Sequence, residues 1–170
     1  KNNASKVRVE TGDATNLTGL IPGVGTLQIM GNTVHIDNLT FVDTQDQISA
    51  ERLQVRGFID GNNNLIAESV KDNLGGGGNP KEEIQGRVTS KVGTVLTILG
   101  VSIDTAAAMQ LVGLDGNPFT AGLAAFLSAI TPALATGGTL IKAKGQLSGT
   151  ALTPEEVELG NSLMAVGRQL

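Results

Sequence analysis

Cysteine, tryptophan and tyrosine are absent from this 170-residue chain, histidine occurs once and phenylalanine four times. Each absence removes a class of chemistry. Without cysteine there are no disulfides, thiolate nucleophiles, Cys-ligated zinc sites or iron–sulfur clusters. Without Trp or Tyr, bases and sugar rings have no indole or phenol to stack on. A single imidazole, His35, rules out the paired histidines of an H-E-x-x-H zinc site, and no serine sits in a G-x-S-x-G context. Positive charge is also short, with 12 Lys and Arg against 16 Asp and Glu for a net charge of −4 and a pI near 4.9. A polyphosphate partner needs a cationic face to displace its counterions, so nucleic acid is excluded as the expected ligand. The longest largely apolar run, residues 121–135, contains Pro132 and falls short of the roughly 20 residues that span a bilayer.

What is present is enough for a core. Leu, Ile, Val and Phe together make 49 of the 170 residues, well above the level at which a chain fails to fold. Glycine reaches 23, about twice the usual ~7 %, and its placement follows an internal repeat. LTGLIPGVGTLQIMG (17–31) answers IQGRVTSKVGTVLTILG (84–100), pairing Leu17 with Ile84, Gly19 with Gly86, Ile29 with Ile98 and Gly31 with Gly100. Val34-His35-Ile36-Asp37 answers Val101-Ser102-Ile103-Asp104, and LQVRGFIDGNNNLIAESV (53–70) answers IKAKGQLSGTALTPEEV (141–157), with Gly57 on Gly145 and Val70 on Val157. The second unit is longer by about 19 residues.

Within each block apolar and polar residues alternate with period 2, which predicts half-buried strands. Turn chemistry at Pro22-Gly23, Gly31-Asn32, Asp60-Gly61-Asn62 and Ser148-Gly149 separates them. Units of this size close their sheet edges best as small barrels. The expected class is therefore all-β, two tandem small antiparallel β-barrels with one helical insertion in the second. The boundaries are a terminal strand at 1–14, a first repeat at 15–73, a glycine-rich linker at 74–80, a second repeat at 81–160 and a tail at 161–170. The linker contains four glycines but no following Lys-Ser/Thr, so it is not a phosphate loop. The helix falls near 118–131, with Leu123, Phe126, Leu127 and Ile130 on one face, Asn117 or Thr120 as cap and Thr131-Pro132 as stop. Thr153-Pro154-Glu155-Glu156 reads locally as a helix start, yet its counterpart Leu65–Val70 has no such cap, and the repeat assigns a strand. Residues 1–14 resemble the last strand of a unit, which makes them an adhesive edge, for an upstream repeat or for self-association through 1–10.

Candidate chemistry is sparse. His35 shares its strand face with Asp37, but Ser102 replaces it in the second unit. Asp60, Asn62 and Asn64 occupy the first ligand positions of a calcium loop, while Leu65 and Lys71 stand where its Gly and Glu belong, so a hairpin turn is the better reading. Glu82-Glu83 and Glu155-Glu156 should point to opposite strand faces and be solvated. No catalytic, cofactor-binding or metal residue is assigned.

The pattern G-x-V/I, hairpin, T-L-x-I-x-G, V-x-I-D, V-x-G, L-x-A-E-x-V over residues 15–159 resembles a bacterial cell-envelope family known only as a domain of unknown function. That family occurs in tandem copies in exported proteins and lipoproteins. The resemblance implies OB-like barrels, an exported protein (periplasmic, outer-membrane-associated or extracellular), a protein or envelope component as partner, and no enzyme activity or cofactor. Because the chain starts at Lys1 rather than Met, the expectation is that an upstream segment able to bear a lipid anchor has been removed. The expected function is a non-catalytic binding or structural module. The alternatives are a carrier of small apolar ligands beneath the 118–130 helix or a carboxylate-based hydrolase.

Overall fold

Alternating burial runs through the strands just as the period-2 pattern requires: Leu27 and Ile29, Val34 and Ile36, Leu96 and Ile98, Val101 and Ile103 all point inward. The structure, a computed structural model, describes residues 6–11, 25–37, 39–43, 53–60, 62, 64–72, 81–133 and 138–160. The side chains of 6–11, 42, 43, 53, 71 and 72 are outside that description. The strands are β1 (Lys6–Thr11), β2 (Gly25–Ile29), β3 (Asn32–Ile36), β4 (Phe41–Asp43), β5 (Leu53–Ile59), β6 (Leu65–Asp72), β7 (Glu82–Arg87), β8 (Ser90–Val92), β9 (Val95–Ile98), β10 (Val101–Asp104), β11 (Gln110–Val112), β12 (Leu140–Ser148) and β13 (Ala151–Leu159). One helix, α1 (Leu123–Ser128), and one 3-10 turn at Thr105–Ala107 complete the described elements. The fold is all-β. Its strands form one curled, half-barrel sheet in the order β2-β3-β6-β5-β1-β7-β12-β13-β10-β9-β8, with β4 on β6 and β11 on β13.

The repeat is visible in the pairing. In each half a parallel contact (β3 on β6, β10 on β13) sits beside a long antiparallel hairpin (β5–β6, β12–β13), and a short strand lies parallel on its last member (β4, β11). Both long hairpins carry a register shift at the same place, Arg56/Gly57 and Lys144/Gly145. The cause is close backbone approach. A Cβ at Gly57 would sit 2.0 Å from the Ile66 carbonyl oxygen, and one at Gly145 would sit 2.1 Å from that of Thr153.

Residues 6–11 form β1, but in the place of a first strand rather than the last strand of a unit that the sequence suggested, because β1 pairs β5 as β7 pairs β12; it lies between the halves. It pairs antiparallel with β5 through Val9↔Val55 and with β7 through Val9↔Ile84. Ile84 in turn faces Ala143. Val55 and Ala143 each stand two residues before the bulge glycine of their hairpin, so by pairing Val9, and not the Leu17 that the repeat aligned, is the counterpart of Ile84. A residue paired with its own counterpart marks a local two-fold axis. Leu17 and Gly19 themselves, the linker at 74–80 and the tail at 161–170 lie outside the described residues.

Beyond the seam, the segment Glu82–Val92 changes neighbours partway along. Val88 donates its N–H to Thr139 O at 2.9 Å on the β12 side, and Thr89 donates to Thr97 O at 2.9 Å on the β9 side. Buried side chains from both halves join into one connected core.

The expected helix over 118–131 is shorter. Pro118 makes a bridge to Val112, and Gly122, with φ 97°, replaces Asn117 or Thr120 as the cap. The predicted apolar face is nonetheless the one used, with Phe126 and Ile130 buried. Phe119 stacks edge-on against Phe126, ring centroids 5.3 Å apart. Lys91 Nζ donates to Leu127 O (2.9 Å) and Ile130 O (2.8 Å), meeting the carbonyl end of α1 with a positive charge. Residues 153–159 are strand, as the repeat required and against the local cap signal.

Two outcomes follow. Gly145→Ala forces a methyl group into a carbonyl and should destabilise the protein by about 2–3 kcal/mol in urea unfolding; an unchanged midpoint would show that the bulge relaxes. Removing residues 1–11 leaves the β5 and β7 edges bare, so the melting temperature should fall or a dimer should appear in light scattering. Neither change appearing would mean that β1 does not hold the seam.

Candidate functional site

The β2–β3 and β9–β10 turns are equivalent and have the same backbone form. Met30 and Gly31 have φ values of 49° and 77°, and Leu99 and Gly100 have 50° and 75°. Two consecutive left-handed residues define the type I′ turn that suits the twist of a tight hairpin. The two tips meet across the seam. Asn32 Nδ2 donates to Leu99 O at 2.8 Å and to Met30 O at 3.1 Å, and a Cβ on Gly31 would lie 3.2 Å from Thr150 Cγ2 at the tip of the β12–β13 hairpin.

These tips border a cleft of about 600 Å3 to which both halves contribute. From the first half come Thr33 and His35 on the outward face of β3, with Ile59, Asn64 and Leu65 from the β5–β6 hairpin. The second half supplies Arg87 at the end of β7, Thr89, Leu99 and Thr150. Arg87 is half-buried and Nη1 donates to Gly138 O at 3.1 Å. Burial pulls its guanidinium below the ordinary arginine value, and a guanidinium so placed remains charged at neutral pH.

His35 is where its alternation placed it, half-exposed between buried Val34 and Ile36. Its sequence neighbour Asp37 is engaged in a turn, Oδ1 accepting from Leu39 N at 2.9 Å. Ser102, the counterpart of His35, is exposed on β10. Asp60 also serves a turn: Oδ1 accepts from the N–H groups of Asn64 (2.8 Å) and Asn62 (2.9 Å). The Asn64 bond is the main reason its carboxyl lies below the usual 3.8, with His35 adding a smaller charge effect. Asp115 is lowered in the same way, chiefly by the Asn117 N–H at 3.0 Å. Among the described residues no cluster of three or more His, Asp or Glu could hold a metal ion.

The paired glutamates behave less simply than expected. Glu82 Oε2 accepts from Leu147 N at 3.1 Å, and Glu155 Oε1 accepts from Lys81 Nζ at 2.6 Å. Glu83, expected to be solvated, is 8 % exposed, and Glu158 is 9 % exposed. The cross-strand register explains this: Glu83 faces Lys144, and Lys142 stands between Gln85 and Glu158 with its Nζ 3.4 Å from Glu158 Oε1. A second depression of about 380 Å3 involves Lys81, Lys144, Glu155 and Glu156, charges that balance one another.

Sequence reasoning missed Arg87 and Asn32. The one signal for Arg87 was its isolation as the sole arginine between residues 57 and 167; Asn32 was legible only as part of the Gly31-Asn32 turn, since its side chain bonds a turn 67 residues away.

Residues 11–71, spanning β2 to nearly the end of β6, match a domain of unknown function, DUF5666. No curated protein and no solved structure matches the chain. No helix among the described residues is long and apolar enough to cross a membrane.

The turn carboxylates set an acid limit. Their protons bind more weakly in the folded protein, so the stability they contribute is fully present above about pH 3.8 and is lost as pH falls through their lower folded values. In melting curves from about pH 5 to about pH 2, Asp60→Asn should flatten part of that decline. An acid limb identical to that of the parent protein would remove Asp60 from the account.

Proposed function

We propose that this protein is a non-catalytic binding module of the bacterial cell envelope, made of two OB-like barrels set about a shared ligand cleft. The observation behind this reading is the cleft itself, bordered by matching hairpin tips from both repeats and lined by hydroxyl, amide, imidazole and guanidinium groups. Pockets of roughly 300–1,000 Å3 with a few convergent polar groups are the usual form of a small-molecule site.

The barrel reading is supported by the second half. Taking Glu82–Val92 as one bent strand, its neighbours run through β9, β10, β13 and β12 back to itself, with β10 and β13 parallel. That circuit is the strand order of an OB-type barrel. Envelope location rests on the family resemblance.

A carrier of apolar ligands beneath residues 118–130 draws less support, because Phe126 and Ile130 already fill the space under α1. A carboxylate hydrolase needs acids facing each other across an open site, whereas Glu82, Glu155 and Asp60 are engaged in backbone bonds or an ion pair.

An NMR screen of mixed neutral and charged fragments against the 170-residue chain tests the reading. Hits should shift the amides of Gly31, Thr33, Gly100 and Thr150 together. Hits that cluster on another surface, or a screen without hits, would overturn the cleft as the binding site.

A further inference from the structure

The lining of the cleft departs from the rest of the molecule in charge. The chain has 16 Asp and Glu against 12 Lys and Arg, yet among the described residues that line the cleft there is no carboxylate, while Arg87 and His35 are both there. The cation is also not surface decoration. Arg87 is half-buried, and burial lowers its pKa, so its charge acts through a medium less polarisable than water, where attraction to an anion is stronger.

The two-fold frame makes this chemistry informative. Equivalent turns form the walls, but His35 comes from the first half and is Ser102 in the second, and Arg87 comes from the second half. Matching hairpin tips would build a symmetric cleft without either group. The polar groups are therefore an asymmetric addition to a symmetric support.

Size and lining narrow the ligand further. One guanidinium and one imidazole suit a single anionic group rather than a polyphosphate. Among the described lining residues there is no carboxylate to hold a hard divalent cation, and none is Trp, Tyr or Phe, the usual platforms for a base or sugar ring. A space of about 600 Å3 is far larger than a lone anion, and the part-buried Leu99 with the edges of the buried Met30, Ile59 and Leu65 gives it an apolar side. Building on the reading of the cleft as a binding site, we infer that its ligand is a small amphipathic carboxylate. Its anionic end meets Arg87 and His35, and its apolar body lies against Met30, Ile59, Leu65 and Leu99.

The probes are octanoate, its neutral isostere octanamide, and inorganic phosphate, each titrated into the isotope-labelled 170-residue chain and followed through amide shifts. Octanoate should give saturable shifts at Gly31, Thr33, Gly100 and Thr150, with octanamide and phosphate each at least about tenfold weaker, a difference of about 1.4 kcal/mol. Arg87→Gln should weaken octanoate about tenfold and leave octanamide unchanged. Should that variant fail to fold, His35→Glu, on the outward face of β3, puts an acid in the cleft and should abolish octanoate binding while sparing octanamide. The inference is overturned if octanamide or phosphate binds as tightly as octanoate, or if either folded variant keeps full octanoate affinity. In those cases the cleft stands as a site for another ligand. Saturable octanoate shifts confined to a different surface would overturn the inference and the cleft together.

Discussion

The backbone hydrogen bonds that β1 makes on both of its edges hold the architecture together. One edge joins β5 and the other joins β7, so a six-residue strand converts two sheets into one. Ladder bonds depend on backbone shape and little on side-chain identity, which is why KVRVET and EEIQGR can occupy equivalent places with almost no residues in common. Because Val9 meets its counterpart Ile84, the pairing also imposes a two-fold relation. That relation brings the Met30-Gly31 and Leu99-Gly100 turns together and leaves the cleft between them.

Where the repeats agree, the agreement is steric. Gly57 and Gly145 stand at the same register shift because the opposing carbonyl oxygen occupies the space a side chain would need. Where they differ, the differences gather around surfaces a ligand or partner could reach. The second half has the longer β11–β12 connection with α1, and it supplies Arg87, while the first supplies His35. Duplicated support with unequal chemistry is a natural route to a binding site, since stability rests on the shared frame and the lining residues are left to vary.

Much of the fold was legible from residue order. Alternation located the strands, glycine-containing turns located the hairpins, and comparison of the repeats correctly placed Pro154 within a strand despite its helix-start signal. The helix was overextended because its cap residues are attractive only locally. Asn117 and Asp115 form their own turn, and Pro118 bridges Val112, which delays the helix to Gly122. Glu83 departs from the solvent exposure that its sequence neighbours suggest, because Lys144 stands opposite it on the adjoining strand. Arg87 gave no local pattern to read, and Asn32 only that of its turn.

By itself, the sequence determined that this is an all-β protein with an internal repeat and no thiol, indole or phenol groups, because periodicity and composition are properties of short windows. Only the tertiary structure decided that β1 sits between the halves, that Glu83 is buried, and that Arg87 and His35 share one cleft. Those facts depend on strand partners that lie from about 45 to 75 residues apart along the chain, and no local pattern specifies which of several similar strands a given edge will choose.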